Sequence, residues 1–165
     1  MKARLFGTDG IRGVANDELT PELAMRVGEA AGRFLADHGA ARIVVGPDTR
    51  VSGPMLEAAL VAGITAGGGE ALLAGVVPTP AVALLVRELG ADGGVVISAS
   101  HNAPEYNGLK LFSREGFKLP DDLEDAIEDF CLDEACRPRP IGTDIGRVTV
   151  IDDALARYVA HAVGS

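Results

Sequence analysis

Gly93-Gly94-Val95-Val96-Ile97-Ser98-Ala99-Ser100-His101-Asn102 is the stretch from which the rest of the chain can be read. Its first half is short, apolar, β-branched and led in by glycine, which predicts a central strand buried on both faces. Its second half places two hydroxyls, an imidazole and an amide where that strand runs out. In open α/β sheets ligands gather beyond the carboxyl ends of the strands. Ser100 therefore stands where chemistry is expected. Downstream, Pro104 and Asn107-Gly108 precede Leu109-Lys110-Leu111-Phe112, predicting a turn into a new strand that carries Lys110 back toward the serine. A serine, a histidine and a lysine so close in sequence suit phosphoryl or acyl transfer. No Gly-x-Ser-x-Gly elbow surrounds either serine, so acyl transfer is the weaker option.

Upstream of the strand, helices and strands alternate. Thr20-Pro21-Glu22 is a helix start, with a hydroxyl cap, proline at the first helical position and an acid in the first turn. Leu23, Val27, Ala31, Phe34 and Leu35 follow on one face until Gly39. Arg42 to Val45 reads as a strand, and Ser52-Gly53-Pro54 opens a second apolar helix that fades into Gly67-Gly68-Gly69. Glu70 to Gly75 is the next strand, and Thr79-Pro80 starts a third helix that ends at Gly90. This alternation predicts an α/β fold with a mixed, mainly parallel sheet sandwiched between helices. After the serine strand the pattern changes. Leu109 to Phe112 and Gly116 to Leu119 flank Ser113-Arg114-Glu115 and suggest a hairpin. An acidic helix then runs from Pro120-Asp121-Asp122 to Phe130, its carboxylates being solvated surface at the positive end of the helix dipole rather than a metal site. Arg137-Pro138-Arg139-Pro140 and Gly142-Thr143-Asp144 read as an extended connector, after which Asp152 caps a last helix through Val163.

Composition narrows the function. The chain has 165 residues, 47% of them apolar, enough for one domain that buries about 70% of its unfolded surface. A formal net charge of -9 argues against nucleic acid or an anionic membrane as a partner, so an anionic ligand must be held by local positive groups. Cys131 and Cys136 are the only cysteines; without a zinc-site pattern around them they read as free thiols in a reducing cytosol. No apolar leader region or membrane-length segment is present, so a cytoplasmic protein is expected.

Three more loops fall near strand ends or at the entry to the fold. Phe6-Gly7-Thr8-Asp9-Gly10-Ile11-Arg12-Gly13 frames Arg12 with glycines, which suits its planar charged fork to a ligand. Gly46-Pro47-Asp48-Thr49-Arg50-Val51-Ser52-Gly53 joins a strand to a helix N-terminus, and Val77-Pro78-Thr79-Pro80 does the same. Helix N-termini favour anions. Neither glycine loop matches a nucleotide-binding fingerprint. Asp48 reads as a structural residue that fixes its loop; Arg50 reads equally as its partner or as a ligand.

In their order along the chain, the Phe6 to Gly13 and Gly46 to Gly53 loops, Ser98-Ala99-Ser100-His101-Asn102 and Asn107-Gly108-Leu109-Lys110 resemble the α-D-phosphohexomutase superfamily. The opening Phe6 to Asn16 segment and Leu19-Thr20-Pro21-Glu22-Leu23-Ala24 are similar to its bacterial amino-sugar branch, which interconverts glucosamine 6-phosphate and glucosamine 1-phosphate. The resemblance runs from residue 3 to about 130. It departs from the pattern at Ala103-Pro104, where the family more often has proline directly after Asn102.

The resemblance implies the first domain of that family's fold, and a role for each matching residue. Ser100 would be the phosphoserine that donates to and recovers from the sugar, its phosphate also binding Mg²⁺. On sequence alone Ser98 is equally open to modification, and the family pattern selects Ser100. His101 would contact phosphate or handle a proton, Lys110 would act as a general acid/base or neutralise the moving group, and Arg12 would stabilise that group. Asn102, Arg50 and Thr8 would bind substrate or phosphate. A hexose 1,6-bisphosphate would be the activator and a phosphosugar the substrate. The family has four domains and the resemblance covers only the first, without the Asp-Gly-Asp-x-Asp-Arg and Ser-Gly-Thr-Glu-Pro loops that supply metal carboxylates and a phosphate grip. The expected organisation is therefore a phosphoserine-bearing domain over 1–132, a connector over 133–150 and a terminal helix over 151–165 that begins a following region. The remaining domains of the parent chain would be partners, and a homodimer stays open. So do a phosphomannomutase or phosphoglucomutase domain and a non-catalytic phosphosugar-binding module.

Overall fold

A computed structural model describes residues 5–133, 135 and 137–164. Its centre is the strand quoted above, β4 (Gly93–Ile97), every residue of which is buried. It pairs in parallel with β2 (Arg42–Pro47), Val95 opposite Val45, and antiparallel with β5 (Tyr106–Ser113), Ile97 opposite Leu109. Beyond β2 lies β3 (Glu70–Leu73), parallel to it, and beyond β5 lies β1 (Ile11–Val14), antiparallel. A last strand, β6 (Val148–Val150), adds in parallel to β3, giving the sheet order β1-β5-β4-β2-β3-β6. The mixed, mainly parallel α/β sheet expected from the alternation is the one observed.

Because side chains alternate along a strand, the central strands β2, β4 and β5 feed two cores. Ile43, Val45, Val95, Ile97, Leu109 and Leu111 point to one face, under α1 (Pro21–Phe34), α2 (Gly53–Ala66) and α4 (Asp121–Leu132). Val44, Leu72, Val96 and Phe112 point to the other, under α3 (Thr79–Glu88) and α5 (Ala154–Gly164). Helix α1 starts as its sequence predicts, the Thr20 hydroxyl accepting from Leu23 N–H at 3.2 Å. Its buried face is shifted from the expected one, however: Ala24, Val27, Gly28 and Ala31 are inside, while Phe34 is 40% exposed. Small residues decide this, because they let α1 and α2 approach backbone to backbone. A Cβ on Gly63 would stand 2.0 Å from the Met25 carbonyl oxygen, so only glycine fits there. Phe34 instead meets Phe130 of α4 edge to face, centroids 5.7 Å apart.

Four local expectations change. The Phe6 to Gly13 loop ends in strand β1, so Arg12 projects from a sheet edge rather than from a loop. Asn107-Gly108 is no turn: both residues lie inside β5, paired with Gly13 and Arg12. The second hairpin arm shrinks to one bridge, Phe112 with Lys118. The segment read as a connector over 133–150 is strapped to the domain, and its end forms β6. Arg137 stacks on Phe130 with its guanidinium 4.0 Å from the ring centre. Arg139 reaches the buried carboxylate of Glu29 on α1 at 2.7 Å, and Arg33 donates to the same carboxylate at 2.9 Å. Gly146 N–H then bonds Thr65, and the Arg147 carbonyl accepts from Ala71 N–H, at 2.9 and 2.8 Å. Cys136 lies outside the described residues. Cys131 is buried and free. No helix among the described residues is long and apolar enough to cross a membrane.

Candidate functional site

Where β4 ends, hydrogen bonding from neighbouring strands continues for one more residue, Ser98 N–H donating to the Gly108 carbonyl at 2.9 Å. The chain then breaks away through Ala99, which is buried, to Ser100, which is exposed. Ser100 adopts φ 55°, in the left-handed region that costs a non-glycine residue about 1–3 kcal/mol. Its own N–H is held by the Ser98 Oγ at 3.0 Å. This separates the two serines: the half-buried Ser98 hydroxyl accepts a bond inside the loop, while the Ser100 Oγ faces outward. Its neighbour is the His101 Nδ1, 3.4 Å away.

One arginine gathers this loop. Arg50, in the turn between β2 and α2, has a side chain only 12% exposed. Its Nη1 donates to the carbonyls of Ala103 and Tyr106 at 2.7 and 2.9 Å, and its Nη2 to those of Ser100 and Asn102 at 3.0 and 2.8 Å. The Nε donates to Asp48 at 3.2 Å, and Asp48 also accepts from the Arg50 N–H at 2.9 Å. Bonds to a charged donor contribute about 1.5–3 kcal/mol each where solvent is excluded, enough to offset the strain at Ser100. Arg50 reads from the sequence equally as the partner of Asp48 or as a ligand; here all five N–H groups of its guanidinium meet protein oxygens.

Arg12 remains available. It reaches from β1 across β5 to the Asn102 Oδ1 at 3.4 Å and lies 3.7 Å from Asp9, with 29% of its side chain exposed. It thus joins Asn102 to the positive side of the serine loop. Its route depends on Gly108, where a Cβ would press on the Ser98 carbonyl oxygen at 2.7 Å and on the Arg12 Cγ at 3.0 Å. Thr8 stands at the exposed tip of a two-residue turn closed by Gly7 and Gly10, and among the described residues no hydrogen bond ties it to the serine loop. Lys110 sits opposite Val96 on β5 with its Nζ 5.7 Å from the Phe112 ring centre. The pleat therefore directs it to the α3 face. No hydrogen bond or ion pair among the described residues joins it to Ser100.

A residue that the sequence reading passed over also shapes the site. Asn107 is fully buried; its side-chain amide donates to the Ser52 Oγ at 2.8 Å and its carbonyl oxygen accepts from Gly108 N–H at 2.8 Å. It ties the start of β5 to the start of α2, and so fixes the Arg50 turn against the serine loop. An Asn-Gly pair advertises a turn, which concealed this role. The result is an open hollow of about 390 Å³ lined by Asp48, Thr49, Arg50, Val51, Ser100, Asn102 and Pro104. It presents the exposed Ser100 hydroxyl on a loop held by Arg50, with the His101 imidazole beside that hydroxyl and Arg12 bonded to Asn102 of the same loop, an arrangement suited to carrying and passing on an anionic group.

Comparison with known proteins gives the family. Residues 3–136 match the family model of the phosphoglucomutase/phosphomannomutase α/β/α domain I. A phosphoglucosamine mutase of Moorella thermoacetica is 59% identical over 160 residues, which is 96% of this chain and 36% of that protein. One from Clostridium tetani is 55% identical over 166 residues, 99% of this chain and 37% of that protein. Among solved structures, a phosphoglucomutase/phosphomannomutase family protein from Burkholderia thailandensis superposes with a TM-score of 0.79 at 30% identity, over 98% of this chain and 36% of that one. The chain thus spans a little over a third of the length of the relatives it matches.

Proposed function

Because the chain belongs to the phosphoglucomutase/phosphomannomutase family as its α/β/α domain I, we propose that it carries the phosphoserine of an enzyme interconverting glucosamine 6-phosphate and glucosamine 1-phosphate. The observation that carries this reading is Ser100, exposed and in a left-handed conformation at the end of a buried strand, with Ser98 turned to internal use. The similarity to phosphoglucosamine mutases at 55–59% identity supports the amino sugar over glucose or mannose. The reaction belongs to amino-sugar supply for cell-wall precursors and to the cytoplasm.

In this reading the bond from phosphorus to the Ser100 Oγ breaks as a bond from phosphorus to a sugar hydroxyl oxygen forms, giving a sugar bisphosphate and free Ser100. The sugar hydroxyl proton passes to a base and a proton is returned to the departing Ser100 Oγ, roles we assign to Lys110 and His101. Ser100 then takes back the other phosphoryl group. Such transfer depends on in-line positioning and dispersed positive charge more than on covalent help. Arg12 supplies that charge here, and Asn102 links it to the loop. Thr8 remains a candidate contact to substrate. A hexose 1,6-bisphosphate would prime Ser100. As for Mg²⁺, no three His, Cys, Asp or Glu side chains are grouped to hold a metal among the described residues. An octahedral ion needs more oxygen ligands than the single phosphate this chain would offer.

The test is a chimera in which this chain replaces the matching segment of the Moorella thermoacetica enzyme. It should interconvert the two glucosamine phosphates faster than the corresponding glucose or mannose phosphates, and label from a hexose 1,6-bisphosphate should map to Ser100. A folded but inactive chimera, or label on Ser98, would refute the reading.

A further inference from the structure

Four carbonyls of one loop, those of Ser100, Asn102, Ala103 and Tyr106, converge on a single guanidinium. We infer that Arg50 is a positioning residue for the Ser100 hydroxyl, held in register by Asp48, and not a ligand of the phosphate transferred there. The geometry stands on its own; only its catalytic consequence rests on the phosphoserine reading above.

Carbonyls drawn inward turn the loop's reactive side chains outward. Ser100 is fixed at both of its peptide groups, its N–H by Ser98 and its carbonyl by Arg50. With both peptide groups bonded, the residue stands at φ 55°. Asp48 contributes through two contacts, one to the Arg50 backbone N–H and one to its Nε. These orient the guanidinium plane so that both terminal nitrogens face the loop. The planar, branched donor is essential, because a lysine ammonium is a point charge and cannot reach carbonyls spread over seven residues, from 100 to 106. Asn107 bonded to Ser52 prevents the two loops from separating. The Ser100 Oγ is thereby aimed before any substrate arrives.

The experiment compares Arg50→Lys with Arg12→Lys. In the 165-residue chain, amide exchange in Arg50→Lys should accelerate about tenfold or more at Asn102 and Tyr106 while β2 and β4 stay protected, a local opening rather than a global one. Arg12→Lys should leave that exchange unchanged. In the chimera, Arg50→Lys should lower kcat on the order of 100-fold with KM changed less than about threefold, since displacing a reacting group by an ångström costs that much. Unchanged exchange over residues 99–106, or a raised KM with kcat intact as expected of a phosphate ligand, would overturn the inference. If Arg50→Lys loosens the whole domain, Asp48→Asn keeps the arginine and should loosen the loop alone; equal loosening everywhere in both variants would also overturn it. An inactive chimera with Arg50 intact would count against the mutase reading, and the exchange measurement would still decide the clamp.

Discussion

At φ 55°, Ser100 holds a conformation that glycine adopts freely, so the loop tolerates strain in order to keep a hydroxyl. Ser100→Gly should therefore leave the chain as stable as before or up to about 1–2 kcal/mol more stable, because relieved strain offsets glycine's extra entropy loss. It should also abolish phosphorylation. A thermal melt read beside intact-mass labelling of the chimera checks both, and a clear drop in melting temperature would contradict the strain account. Cys131 behaves in the opposite way, as an inert residue. Burial pushes its thiol up to about 12 against a weaker opposing pull from Arg26, so the thiolate is scarce near neutral pH. Alkylation followed by peptide mapping should leave Cys131 unmodified in the native chain and label it once the chain is unfolded.

At the scale of elements, two contacts hold the helical layer together. The α1–α2 crossing runs through Gly63, where an added methyl would sit 2.0 Å from the Met25 carbonyl oxygen. Gly63→Ala should destabilise the chain by about 3 kcal/mol, measured by urea unfolding, although alanine normally favours a helix. The second contact is the strap onto Glu29. Burial opposes ionisation of this carboxyl, but hydrogen bonds and charge from Arg139 and Arg33 outweigh it and hold the group below its ordinary 4.5. A lowered folded pKa means that the stabilisation is complete above 4.5 and is lost as pH falls through the lower folded value. Arg139→Ala should cost about 1–2 kcal/mol near neutral pH and move acid unfolding to higher pH. An unchanged acid midpoint would show that Arg33 suffices alone.

For the molecule as a whole, the strap joins the last strand and helix to the sheet. Residues 137–147 run along α1 and α2 and deliver β6 to the sheet edge beside β3. Helix α5 then buries Ala154 and leans Tyr158 on the α3 side. The chain should accordingly unfold in one cooperative transition that includes α5. Trypsin provides the check, since Arg147–Val148 would be cut early in a free linker. With the Arg147 carbonyl bonded to Ala71, that bond should survive until global unfolding.

The sequence alone determined what short-range physics controls. Buried β-branched strands, capped helix starts and their alternation specify the α/β layers, because each follows from a few adjacent residues. Ser100, Arg12 and Asn102 stand out as candidates in the sequence because polar groups at a strand end or between glycines have little packing to do. What only the tertiary structure decided depends on partners distant in the chain. Arg50 became a clamp once a loop some fifty residues away supplied its acceptors. Asn107-Gly108, which locally favours a turn, became strand because Gly13 and Arg12 pair with it and Ser52 binds its amide. Lys110 was assigned to the α3 face by the register of β5 against β4, since a pleated strand assigns faces by pairing and not by nearness in sequence. A proline-rich run became a strap because Glu29, buried on another element, needed positive partners.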